Sequence, residues 1–366
     1  MVSPASGYDS APVNGDLIEL WNQEEEADER SPAAALAARR VAVRTVTEEA
    51  PGPAWQRHFA ALWPAYRRWF LSEGERARMS LAASAGRLRS SMPELFPVYE
   101  RLCALAAETG RGDIAARFLS LYRPPPYLAG CSQVLWTGGE PALIRNYDFD
   151  PGLWEATLWR SSWTGRRVLA ISDCLWGALE GMNDRGLVVG LSFGGRRIVG
   201  DGFGIPLIVR YLLETCDDAR EARWALGAAP SHMAYNLAVL DASGDAFVAY
   251  LTPGRRVEIT DERVVTNHQS VLDWAEYTRF TQTLERRELL ELALRDAASN
   301  GRPLLDAFLE PPVFTDRYDH SFGTLYTAVW RPAAGAVDLV WRDQRRTVTL
   351  AGALDEEWSV VLGGDG

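Results

Sequence analysis

The run Pro124-Pro125-Pro126 constrains this chain more than any other feature. Successive prolines fix φ and remove backbone donors, so neither a helix interior nor a central strand can cross them. The run divides two textures. Ahead of it, residues 33–44, 55–71, 75–89 and 94–108 are Ala-rich or Arg/Glu-rich, and Leu95, Val98, Tyr99, Leu102 and Leu105 recur at helical spacing. Residues 1–30 are polar, acidic in their later part, and have the composition of a disordered tail. Behind it the texture is β. Residues 132–136 and 142–149 form a hairpin around Thr137–Pro141, and further strands run to Phe193. A helix over 205–226 starts at Pro206, a second β block covers 234–269, a charged amphipathic helix covers 273–298, and strands return over 323–350.

Groups of neighbouring strands separated by long helices point to antiparallel sheets under helical layers rather than repeated βαβ units. The expected fold class is α+β: a four-layer αββα sandwich of two antiparallel sheets, preceded by a helical N-terminal segment. The expected organisation is a tail over 1–30, a helical pro-segment over 31–130 and a catalytic domain over 131–366.

Composition narrows the function. With a net charge of −11 the chain repels polyphosphate, so nucleic acid is not an expected partner. Four cysteines and four histidines lie scattered without ligand spacing, so neither a disulfide framework nor a metal site is expected, and a reducing cytoplasm fits. No window is apolar enough for a membrane span or a signal peptide. Leu128-Ala129-Gly130-Cys131 has the form of a lipobox, but a polar, proline-rich approach replaces the apolar segment that a lipobox follows.

The same four residues also have the form of a self-cleavage junction. Gly130 lacks a Cβ and so can hold a backbone strained enough for the Cys131 thiol to reach the preceding carbonyl. If the bond between Gly130 and Cys131 breaks, Cys131 gains an α-amine of reference pKa about 8, which can take the thiol proton. The returning hairpin strand brings Arg145 and Asp148 beside Cys131: Arg145 to lower the thiol pKa, Asp148 to orient the amine. Without that chemistry, Cys131 is buried packing and the charged pair a cross-strand ion pair. Asn236 sits in an otherwise apolar strand and must be hydrogen-bonded; its amide could supply an oxyanion donor or cap a turn.

Taken in order, GCSQ, RNYDF, GMNDRGL, YNLAVLDASG, VVTNH and TLERRELL resemble the penicillin acyltransferase (acyl-CoA:6-aminopenicillanate acyltransferase) family. That family belongs with the choloylglycine hydrolases among the N-terminal-nucleophile hydrolases. The resemblance spans roughly residues 92–326. It implies the αββα fold, self-cleavage before Cys131, and amide hydrolysis or acyl transfer through a thioester, without a cofactor. By motif, Cys131 matches the nucleophile, Arg145 and Asp148 its partners, and Asn236 the oxyanion donor. Arg286 and Arg279 both match a supporting arginine. Ser192 stands where relatives carry a polar Asn or Tyr. His268, at the VVTNH strand end, reads as structural. The implied partners are a small amide or acyl-thioester substrate and the two processed chains for each other.

Two rival readings differ in class. Gly190-Leu-Ser-Phe-Gly194 matches the GxSxG elbow of serine esterases, with Ser192 as nucleophile and His320 closing the order, but a turn-rich stretch follows where the elbow needs a helix. A non-catalytic relative with Cys131 uncut would use its fourteen tryptophans to line an apolar ligand pocket. Gly200-Asp-Gly-Phe-Gly204 lacks the remainder of a phosphate loop.

Overall fold

The computed structural model describes residues 39–363 apart from 111, 302, 321 and 353. The expected tail and the first part of the 33–44 stretch lie outside these residues. The described chain enters on β1 (Arg39–Glu48) and continues through α1 (Pro53–Phe70), α2 (Leu81–Ser91), α3 (Phe96–Ala107) and α4 (Gly112–Leu119). Six strands follow: β2 (Gly130–Trp136), β3 (Ala142–Phe149), β4 (Thr157–Ser161), β5 (Val168–Asp173), β6 (Gly177–Asn183) and β7 (Val188–Phe193). Next come α5 (Ile205–Thr215), α6 (Ala219–Ala225), β8 (Tyr235–Leu240), β9 (Ala246–Leu251), β10 (Glu258–Thr260) and β11 (Val264–Val265). The chain closes with α7 (Ala275–Phe280), α8 (Thr283–Asn300), β12 (Gly323–Arg331), β13 (Ala336–Val340), β14 (Arg345–Thr349) and β15 (Glu357–Leu362).

The strands form a nine-stranded sheet, β10-β9-β8-β7-β6-β5-β4-β1-β15, and a six-stranded sheet, β11-β2-β3-β12-β13-β14. The sheets pack face to face. Gly190 of β7 shows how closely: a Cβ there would lie 2.4 Å from the Gln133 Oε1 of β2. Helix α5 lies on the outer face of the larger sheet, where a Cβ on Gly177 or Gly181 of β6 would collide with Pro206 or Leu213. Helix α8 covers the smaller sheet, packing Leu290 and Ala297 on Val134, Ile144 and Val264. This is the αββα sandwich, with one departure from purely antiparallel pairing: β1 runs parallel to β4.

The 33–44 stretch was expected to be helical, yet its described part is strand. Val41, Val43 and Thr45 point to one side of β1, and this period of two, with β-branched side chains, overrides the helical preference of the alanines before it. Two expected helices are each broken in two. Cys216 is extended and Asp218 caps α6 through the Glu221 N–H at 2.8 Å. Gln282, at φ 47°, separates α7 from α8. The Glu48 carboxylate accepts from the first amides of α1, Ala54 N and Trp55 N, at 2.8 and 3.0 Å, tying the helical segment to β1. Among the described residues no helix is long and apolar enough to cross a membrane.

Candidate active site

Alternation along β2 and β3 decides which side chains meet. Cys131, Gln133 and Leu135 of β2 pair with Tyr147, Arg145 and Leu143 of β3, and these face the space between the sheets. Ser132, Val134, Ile144 and Asp148 face α8. The hairpin thus sends Arg145 to one side of Cys131 and Asp148 to the other.

On the inner side, Arg145 Nη2 donates to the Cys131 sulfur across 3.2 Å. The rest of the guanidinium is fixed: Nε donates to the Leu191 carbonyl at 3.0 Å, and Nη1 to Glu180 Oε1 at 2.8 Å and Tyr326 Oη at 3.3 Å. Trp330 Nε1 donates to the other Glu180 oxygen at 2.8 Å. Glu180 belongs to the opposite sheet, so the arginine on the thiol is held across the sandwich.

On the outer side, Arg286 Nη1 donates to the Cys131 carbonyl and Ser132 Oγ, both at 2.9 Å, and to Asp148 Oδ2 at 3.3 Å. Its Nη2 donates to Asn267 Oδ1 at 2.7 Å. Thr324 donates to Asp148 Oδ1 at 2.7 Å. Burial raises the Asp148 carboxyl above its usual range, against the pull of Arg286 and the Thr324 hydrogen bond. Between the two motif matches, Arg286 is buried at the site and Arg279 is exposed on α7.

Asn267 spans the junction. Its Oδ1 accepts from the Cys131 N–H at 2.9 Å, and its Nδ2 donates to the Ala129 carbonyl at 3.1 Å and the Phe193 carbonyl at 3.2 Å. Tyr277 Oη also donates to the Ala129 carbonyl, at 2.8 Å. Asn267 was not among the expected site residues, although it lies in the VVTNH stretch. His268 is held by Thr283 at 2.9 Å, and burial with the nearby Arg287 lowers its pKa to about 4, a neutral structural imidazole.

Asn236 does not direct its amide at the thiol. Both of its hydrogen bonds go to the Thr266 and His268 carbonyls at 3.0 Å, bracing the strand end that carries Asn267. Ser192, opposite Asn236 on β7, donates to the same Thr266 carbonyl at 3.2 Å. Helix α5 starts only at Ile205, so Ser192 lacks the strand–turn–helix elbow on which its nucleophile reading depends.

Gly130 is required for a different reason than expected. Its φ is not positive; instead a Cβ would lie 2.4 Å from Phe322 and 3.0 Å from Asp148 Cβ. The left-handed residues of the approach are Leu121 and Arg123, at φ 45° and 51°. Cys131 is fully buried. Burial pushes its thiol up to about 11, outweighing the opposing pull of Arg145.

A family model described as acyl-coenzyme A:6-aminopenicillanic acid acyl-transferase matches residues 136–346, more than half of the chain. No curated protein matches. Similar solved structures include a mutant conjugated bile acid hydrolase from Clostridium perfringens, 12% identical, with 63% of this chain and 96% of that one covered at a TM-score of 0.44. A penicillin V acylase from Agrobacterium tumefaciens is 15% identical over 59% and 84% of the two chains, at 0.43. The Caenorhabditis elegans ortholog of N-acylethanolamine-hydrolyzing acid amidase is 13% identical over 56% and 92%, at 0.39.

Proposed function

Because the chain belongs to the acyl-coenzyme A:6-aminopenicillanic acid acyl-transferase family, we propose that it is a self-processing amidohydrolase or acyltransferase whose nucleophile is Cys131. The supporting observation is the Asn267 side chain, which grips the Cys131 N–H on one side of the junction and the Ala129 carbonyl on the other. In the first step the Cys131 sulfur attacks the Gly130 carbonyl carbon. The C–S bond forms, the C–N bond breaks, and the thiol proton passes to the departing nitrogen. Water then hydrolyses this internal thioester, leaving Cys131 as a new N-terminus.

The cut changes the chemistry of the site. The freed amine, held by Asn267 Oδ1, can take the thiol proton near neutral pH. Arg145 remains as the cation beside the sulfur. Withdrawal of residues 127–130 frees Asn267 Nδ2 and Tyr277 Oη from the Ala129 carbonyl, giving two donors for the oxyanion of an incoming amide or thioester. An acyl-enzyme forms on Cys131, and water or an amine releases it.

Intact mass of the purified wild type and of Cys131→Ala tests this reading. Two fragments from the wild type, one starting at Cys131, and a single mutant chain are expected. A wild-type chain that stays whole and shows no thiol-dependent amidase activity overturns it. That result would favour the non-catalytic binding protein, for which the sealed thiol of the uncut chain speaks.

A further inference from the structure

Helix α1 meets the larger sheet over a second cluster of ionisable side chains, at the end of β5. Trp55, His58 and Tyr66 of α1 all reach this cluster. They lie ahead of Cys131, whereas Glu155, Ser172, Asp173 and Leu175 lie behind it. The cluster therefore joins two parts of the chain whether or not the bond between them is cut.

The hydrogens in the cluster fix its charges. Arginine can only donate, so Arg44 Nη2, 3.0 Å from His58 Nδ1, leaves that nitrogen unprotonated. The ring proton is then on Nε2, which donates to Glu155 Oε2 at 2.9 Å. Ser172 donates to the same oxygen at 2.5 Å, and the Leu175 N–H and Tyr66 Oη donate to Oε1 at 2.8 and 2.5 Å. Glu155 thus meets four donors, as an ionised carboxylate can. Burial opposes its charge, but the His58, Ser172 and Tyr66 donors together hold the carboxyl below its ordinary value.

Asp173 cannot be served in the same way. The Tyr66 hydroxyl has a single proton, and Glu155 takes it. The phenol oxygen already accepts the Cys174 N–H at 2.9 Å, and Asp173 Oδ1 stands 3.2 Å from that same oxygen. A hydrogen bond between these two oxygens needs a proton on Asp173, donated to the remaining lone pair of the phenol. Ionised, Asp173 would set a second negative charge beside Glu155 with no hydrogen between it and Tyr66. Its other contact is the Cys174 thiol at 3.6 Å, a weak donor. Among the described residues no arginine or histidine pairs with it, and the sequence contains no lysine. The other ionisable groups that face it are the phenols of Tyr127, Tyr147 and Tyr235, all pushed up by burial and so neutral. Asp173 keeps part of its surface accessible, so protons can reach it, yet protein encloses it. That enclosure and the Glu155 charge push its carboxyl up to about 7.

The same groups hold a strained turn. Cys174 and Leu175 stand at φ 54° and 72°. Tyr66 Oη accepts from the first of them, Glu155 accepts from the second, and Trp55 Nε1 donates to the Leu175 carbonyl at 3.0 Å. We propose that Glu155 and Asp173 hold one titratable proton between them, and that this proton locks helix α1 and the turn at Leu175 onto the larger sheet, a latch that tightens in mild acid and loosens in mild alkali.

The direction follows from linkage. An unfolded aspartate titrates at about 4, whereas the folded chain keeps this proton up to about 7. The stability it contributes is complete below about 4, falls as the pH rises from there, and is gone above about 7. Glu155 is displaced the other way and loses its contribution only in stronger acid.

Urea unfolding from about pH 5 to 8 tests the latch, in the full-length Cys131→Ala chain so that processing plays no part. Asp173→Asn, added to that chain, keeps an N–H donor for Tyr66 and cannot ionise. Between the two ends of the range, the folding constant of the parent should fall by about tenfold or more relative to that of Asp173→Asn. A difference between the two chains that stays constant over this range, or that runs the other way, overturns the proposal. Should Asp173→Asn not fold, Tyr66→Phe decides. Without the phenol oxygen the Asp173 proton has no acceptor, so the loss between pH 5 and 8 should shrink; a loss as large as the parent's overturns the latch.

Discussion

At the scale of single residues, the proposed cut would place opposite demands on Cys131 before and after it. In the uncut chain burial pushes its thiol up to about 11, so it is protonated at neutral pH and sealed from solvent. Thiolate absorbance of freshly folded, uncut protein should therefore rise with a midpoint near 11, about two units above an ordinary thiol. Glu180 is the residue to perturb next. Its charge raises the thiol pKa and also holds Arg145. Glu180→Gln should lower the thiol midpoint, because a nearby negative charge is lost. It should also destabilise the fold by about 3–5 kcal/mol, because Arg145 remains buried without its counter-ion; denaturant unfolding reads the second effect independently of the first. Asn267→Ala removes the clamp that spans the junction, and should slow the appearance of fragments in a mass time course.

At the scale of elements, the hairpin explains why part of the site is legible in the sequence. Cys131, Arg145 and Asp148 meet through a local β2–β3 register, and local pairing can be read from alternation and a turn. Arg286 and Asn267 reach Cys131 from 155 and 136 residues away, and Glu180 reaches Arg145 from the other sheet. No periodicity encodes such meetings; motif resemblance brought in Arg286 without separating it from Arg279, and it placed the oxyanion amide on Asn236, the residue that braces Asn267. The sandwich could be read because strand groups and helices alternate along the chain, whereas β1 hid behind an alanine-rich neighbour. Packing between elements is tight enough to test directly. Gly181→Ala would set a Cβ 2.6 Å from the Leu169 carbonyl and 2.8 Å from Leu213, and should cost about 1–3 kcal/mol in denaturant unfolding, with the thiol midpoint unchanged.

At the scale of the whole molecule, the piece ahead of the junction is not a detachable leader. Strand β1 is hydrogen-bonded between β4 and β15 in the larger sheet, and α1 sends Trp55 Nε1 to the Leu175 carbonyl at 3.0 Å. After cutting, the two fragments should co-elute as one particle on size exclusion and separate only in denaturant. The position of β1 has a second consequence. In the uncut chain, β1 is brought to its place by the same polypeptide that carries β4 and β15. In a chain cut as proposed, the same sheet would be an interface between two polypeptides, and its formation would obey mass action. Refolding from denaturant would then depend on concentration in the cut protein and not in Cys131→Ala, so a single peptide bond would set whether this fold can be recovered in dilute solution.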